Sequence, residues 1–146
     1  MDFVNELLPF VKNHPILSLG WLAIFVAIIH LTIKSKFSKV TQITNGIAVN
    51  LMNKEEAVIV DIRNADNFKR GHITGSHNIL PVDIKNNSIK QIEKFKTNPI
   101  IVTCDNGMSA VASGEILAKL GFEKVYALKD GIAGWNGENL PLVKSK

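Results

Sequence analysis

Apolar and polar positions are distributed unevenly along this chain of 146 residues. Residues 16–33 read ILSLGWLAIFVAIIHLTI, eighteen positions without a formal charge. As a helix rising about 1.5 Å per residue, that stretch is roughly 27 Å long, close to a bilayer's hydrocarbon thickness. Nothing in the rest of the sequence looks like a partner for a helix that is apolar on every side. A cleaved signal peptide fits poorly, because Asp2 and Glu6 stand where a basic region is needed and residues 25–33 are bulky. A transmembrane helix is the expectation. Ahead of it, Phe3, Val4, Leu7, Leu8 and Val11 recur at helical spacing, so residues 1–15 suggest an amphipathic surface helix or an early start of the span.

After a short basic linker at 34–39, the pattern changes to that of a soluble domain over residues 40–146. The runs at 57–60, 77–80, 100–103 and 124–128 read as strands, the first and third as strands buried on both faces. Helical periodicity appears at 44–52, with Thr44 as N-cap and Ile47, Ala48 and Leu51 on one face. It returns at 64–70, closed by Gly71, and at 88–96, where Ile89, Ile92 and Phe95 share a side. Residues 110–120 form a further helix with Ala112, Ile116, Leu117 and Leu120 inward and Gly121 closing it, and 131–138 a last turn. Strands alternating with helices predict an α/β fold, a parallel sheet flanked by helices. In such sheets ligands gather beyond the carboxyl ends of the strands, and Asp61 and Cys104 both fall there.

Charge and composition narrow the class. The formal charge is +4, about half of it in residues 1–39. No Lys/Arg stripe interleaves with aromatic residues, so nucleic acid is not an expected partner. A lone cysteine excludes an internal disulfide and suits a reducing compartment. His14, His30, His72 and His77 show no zinc-ligand spacing with Cys104, so no metal and no organic cofactor is implied. Lys34, Lys36 and Lys39 follow the span, whereas only Lys12 and the α-amino group precede it. The positive-inside rule then puts the N-terminus outside an inner membrane and the domain in the cytoplasm. The lipid bilayer is one partner, and Gly20 and Ala23 offer small surfaces where the helix of a membrane-protein partner could pack.

Cys104 carries the candidate chemistry. It stands between an apolar strand and the loop Asp105-Asn106-Gly107-Met108-Ser109, with a helix starting at Ala110. There, backbone N–H groups and the helix dipole favour negative charge and lower a thiol pKa, so that the nucleophilic thiolate exists at neutral pH. The alternative is an inert buried cysteine that only packs.

The surrounding motifs resemble the rhodanese family of sulfurtransferases. Asp61-Ile62-Arg63, Phe68, Gly71-His72-Ile73, Gly75 and Asn78-Ile79 keep the spacing of D-x-R…F-x-x-G-H-I-x-G-A-x-N-I over nineteen positions, with Ser76 in place of Ala. The loop 104–109 is similar to C-x-x-G-x-[RS]. Gly121-Phe122, Val125, Leu128, Gly131, Gly134-Trp135 and Pro141 resemble the closing pattern. The likeness covers residues 40–143 and extends to a membrane-anchored, YibN-like bacterial subgroup. It implies a sulfurtransferase that carries sulfane sulfur as a persulfide on Cys104, taken from a donor such as thiosulfate or another persulfide. The sulfur passes on to a thiol or cyanide acceptor. It implies an anion-binding loop of Asp105, Asn106, Gly107, Met108, Ser109 and Ala110, with Asp61, Arg63 and His72 as structural support. Ser109 stands where many members have Arg. Asp105 is expected to raise the thiol pKa and to repel an anionic donor. These two departures keep a second reading open: a rhodanese module without catalysis, tethered to the membrane for protein interaction. Phosphatase chemistry needs a longer loop ending in Arg, which is absent here.

Overall fold

The computed structural model describes residues 2–36 and 39–145. The chain divides into two compact units, residues 1–38 and 39–146. In the first, α1 (Asp2–Asn13) leads into α2 (Pro15–Lys36). Backbone hydrogen bonds cross the junction, His14 N donating to Phe10 O and Ser18 N to His14 O. None of the 15–33 stretch of α2 is buried. Twelve large apolar side chains between Ile16 and Ile33 are exposed. At about 1.5–3 kcal/mol per such side chain, an apolar surrounding is favoured over water by on the order of 20 kcal/mol or more. The helix is long and apolar enough to cross a membrane. Of the linker expected at 34–39, residues 34–36 continue α2, and 37 and 38 lie outside the described residues.

The second unit is a five-stranded parallel sheet of β1 (Val40–Ile43), β2 (Val58–Asp61), β3 (His77–Asn78), β4 (Pro99–Thr103) and β5 (Lys124–Leu128). The strand order is β1-β5-β4-β2-β3, and every pairing is parallel. β4 sits in the middle with all five residues buried. Its alternation feeds two cores: Ile100 and Val102 pack with Val60, Ile84, Ile92 and Leu117, while Ile101 packs with Ile59, Leu128, Ile132 and Trp135. α5 (Pro81–Lys85) and α6 (Ala110–Lys119) contribute to the first core, α3 (Asn45–Lys54) and α7 (Gly131–Gly137) to the second. α4 (Ala65–Arg70) follows β2, its N-cap Asn64 accepting from Asn67 N.

Several local expectations need correcting. The pattern shows no strand ahead of residue 44, yet β1 forms there, because its Thr41 and Gln42 are exposed and its pairing with β5 supplies the order. Ile47 on α3 is half exposed, and the inward positions are Asn45 and Ala48. Thr44 caps α3 without a side-chain hydrogen bond. The strand expected at 77–80 ends already at Asn78, and Pro81 opens α5, its fixed φ suiting the first helical position. Residues 88–96 are turns with a 3-10 segment, Glu93–Phe95, which still buries Ile89 and Ile92. α6 turns Ala110, Ser113, Gly114 and Leu117 inward and leaves Ala112 exposed. The cause is Gly114: a Cβ there would stand 3.2 Å from the side chains of Val40 and Val125, so the helix seats on its small residues.

Candidate active site

β4 carries the chain to the carboxyl edge of the sheet and ends one residue before Cys104, which is buried. The chain then curls back on itself. Gly107 N–H donates to Cys104 Sγ at 3.1 Å, and Asn106 Oδ1 accepts from Met108 N at 3.1 Å, which closes the turn. Gly107 has φ +87°, and a Cβ on it would run into the carbonyl of Lys129. Only glycine fits that crossing. α6 begins at Ala110 with no side-chain cap, since Ser109 adopts helical angles and makes no capping hydrogen bond. The first N–H groups of α6 are therefore available to the sulfur.

That arrangement sets the thiol's charge. Burial pushes the Cys104 pKa up, but hydrogen bonds from the Ser109 hydroxyl and from the backbone N–H groups of Ser109, Asn106 and Ala110 outweigh it. The net result is a pKa below the ordinary value. Asp105 is not among the groups that produce this shift. The Asp105 carboxylate is exposed and lies 3.8 Å from Arg63 Nη1. Met108 is exposed, and Ala110, at the start of α6, is buried.

The structure puts Asp61 and Arg63 at the neighbouring strand end. Asp61 is fully buried and accepts from Arg63 Nε at 3.0 Å, Nη2 at 2.7 Å and backbone N at 3.0 Å. Arg63 Nη2 also donates to the carbonyl of Gly71 at 2.6 Å, tying β2 to the end of α4. Asn78 Nδ2 donates to the carbonyls of Asp61 and Arg63. Ile62 N donates to Thr103 O, which links this turn to the strand that delivers Cys104. His72 stacks on Phe68 at 3.9 Å, and its Nδ1 lies 2.8 Å from Phe68 O. Its backbone pairs with Val143. The ring is engaged in packing, on the α4 side of the sheet edge.

Sequence reasoning missed the support behind the loop. Ile132 N donates to Cys104 O and Ala133 N to Asp105 O, both at 2.9 Å. The N-terminus of α7 thereby holds the loop's carbonyls, leaving its N–H groups turned toward the sulfur. Gly131, at φ +58°, makes this possible: a Cβ there would overlap the backbone of Cys104, Asp105 and Asn106. Gly131 lies within the motif read from the sequence, but nothing in the sequence shows what it approaches.

An α/β domain that presents one activated thiol in a ring of backbone N–H groups, at the end of a central parallel strand, is built for group transfer through sulfur. The Rhodanese-like domain profile matches residues 44–138. The chain belongs to the rhodanese family. It is 50% identical over 143 residues to YibN of Escherichia coli (strain K12), covering 98% of this chain and 100% of that protein. Thiosulfate sulfurtransferase GlpE of Pseudoalteromonas translucida (strain TAC 125) is 36% identical over 87 residues, 60% of this chain and 80% of the enzyme. The crystal structure of a rhodanese-related protein from Thermoplasma volcanium superposes with a TM-score of 0.61 at 24% identity, covering 72% of this chain and 99% of that one. That last likeness concerns the fold alone.

Proposed function

We propose that this chain is a sulfurtransferase that carries sulfane sulfur as a persulfide on Cys104, held at the cytoplasmic face of the inner membrane by α2. The observation that carries the reading is the Cys104 thiol, lowered in pKa and facing backbone N–H donors at the start of α6. The thiolate attacks the outer sulfur of a donor such as thiosulfate. A new sulfur–sulfur bond forms to Sγ, the donor's own bond breaks, and sulfite leaves with the electron pair. One hard transfer is divided into two through a covalent intermediate. The persulfide's terminal sulfur is anionic, and the N–H groups of residues 106–110 stabilise it. A thiol or cyanide then takes that sulfur and Cys104 leaves as thiolate. The relatives named thiosulfate sulfurtransferase support this chemistry. The exposed apolar length of α2 supports the anchor, and the cations at 34, 36 and 39 support an N-terminus outside.

The test is intact mass of the full chain in neutral detergent after thiosulfate or a small persulfide, with Cys104→Ser alongside. Gain of one sulfur by wild type alone, reversed by cyanide, is the expected result. No adduct from either donor, with Cys104 still open to alkylation, would transfer the assignment to a membrane-tethered interaction module. The exposed Met108 and the loop's lack of an arginine favour that second reading.

A further inference from the structure

Asn106 and Gly107, inside the loop that follows Cys104, form one of three Asn-Gly pairs in the chain, beside Asn45-Gly46 and Asn136-Gly137. In such a pair no Cβ hinders the glycine's peptide nitrogen from attacking Cγ, the asparagine's side-chain carbonyl carbon. Helical backbone holds that nitrogen and carbon apart, and Asn45 and Asn136 both lie in helices, α3 and α7. Asn45 is also buried, with Nδ2 donating to Gly134 O at 3.2 Å. Asn106 lies outside any helix and is exposed to water. Two hydrogen bonds prepare it for the attack. Met108 N donates to Asn106 Oδ1 at 3.1 Å, which polarises Cγ and stabilises the oxyanion that forms there. Gly107 N, the attacking atom, donates its hydrogen to Cys104 Sγ at 3.1 Å. That hydrogen lies in the peptide plane, whereas Cγ approaches from the face, so the sulfur takes the proton without blocking the new bond. The lowered Cys104 pKa raises the share of that acceptor in its anionic form.

We infer that Asn106 is a self-modification site: Cys104 acts as the base for its deamidation, and the product uncouples the loop from the sulfur. Gly107 N bonds to Asn106 Cγ as its proton passes to Sγ. The bond from Cγ to Nδ2 then breaks with its electron pair on nitrogen, and ammonia leaves with that proton. The thiolate is restored and a cyclic imide is closed. Water from the solvent opens the ring at either carbonyl, giving aspartate or isoaspartate. Nothing is oxidised or reduced. Isoaspartate adds one carbon to the backbone between residues 106 and 107. Gly107 has no room to absorb it, since a Cβ there would already stand 1.8 Å from Lys129 O. Its N–H and that of Ser109 are carried off the sulfur, and the thiol becomes slower to react. Only the thiol and its loop take part, so the modification proceeds whether or not Cys104 transfers sulfur.

The test incubates the full chain at neutral pH in neutral detergent, kept reduced with a phosphine, and follows the tryptic peptide 97–119 by mass spectrometry. That peptide holds both Cys104 and Asn106. Amide loss at Asn106 is expected to run about tenfold or more faster than in Cys104→Ser, whose hydroxyl takes the same hydrogen bond but is no anionic base. Wild type S-methylated at Cys104 keeps the sequence, loses the base and is expected to match the serine variant, so a poorly folded variant does not decide the result. Asn136 in the same chains is expected to stay intact over the same period. Equal rates at Asn106 in wild type and S-methylated chain overturn the role of Cys104. Loss at Asn106 no faster than at Asn136 overturns the site. Partial alkylation of the aged wild type then reads the consequence. Isoaspartate, resolved by electron-transfer fragmentation, is expected to concentrate in peptides whose Cys104 escaped alkylation. Its even distribution between alkylated and unalkylated peptides overturns the uncoupling.

Discussion

Two neighbouring strand ends, after β2 and after β4, face the same edge of the sheet and use their polar groups in opposite ways. Asp61 and Thr103 are paired across them. After β2, carboxylate meets guanidinium, both buried, and the pair consumes its own hydrogen-bonding capacity with help from Gly71 and Asn78. After β4, the Ser109 hydroxyl and several backbone N–H groups are aimed at one sulfur. The lesson is that an active site and its foundation can be told apart by what is left over. The β2 end is saturated, whereas the β4 end keeps donors in reserve for an anion.

Removing one partner from the saturated end has the largest expected effect. Arg63→Ala leaves the Asp61 carboxylate buried without its counter-charge, a loss of about 3–5 kcal/mol in unfolding free energy. Urea denaturation measures it. If the variant unfolds like wild type yet no longer loads sulfur, the β2 end belongs to the chemistry and the contrast collapses.

Gly107→Ala sharpens the other side. Left-handed backbone at a residue with a Cβ costs about 1–3 kcal/mol, before any collision with the Lys129 carbonyl is relieved. Displacing the loop strips N–H donors from the sulfur, so the pH midpoint of Cys104 alkylation should rise toward that of a free cysteine. A variant that is destabilised but keeps the wild-type midpoint would show that the loop backbone does not set the charge.

The smallest effect on stability is expected from Ser109→Ala, which leaves the fold unchanged but removes the hydroxyl that does most among the hydrogen bonds to lower the thiol pKa. The alkylation midpoint should move up toward that of a free cysteine. The linked stability effect has a definite sign. Because the folded thiol pKa lies below the unfolded one, its contribution is fully present above the unfolded pKa and is lost as pH falls through the folded pKa. Wild type should therefore exceed Ser109→Ala in stability more at alkaline than at mildly acidic pH.

The fold was legible where sequence period and burial coincide. The fully buried runs in β2 and β4 could be read because each residue's own character decides its place, and α4 and α6 could be read from the glycines that follow them. β1 could not, since half of it is polar and its order comes from β5, some eighty positions away. Cys104 and its loop were visible as a motif. The help from Ile132 and Ala133 was not, because backbone N–H groups leave no mark on residue identity.

The grip of α7 on the carbonyls of Cys104 and Asp105 also fixes an order of events during folding. The cysteine emerges from synthesis well before residues 131–133, which align the peptide groups around it. Until that final helix docks, the sulfur is an ordinary thiol, slow to react at neutral pH. A chain truncated ahead of Gly131 would keep its nucleophile and lack its activation. Reactivity is thus withheld until the fold is nearly finished, so that a nascent or half-unfolded chain is a poor target for stray oxidants and electrophiles.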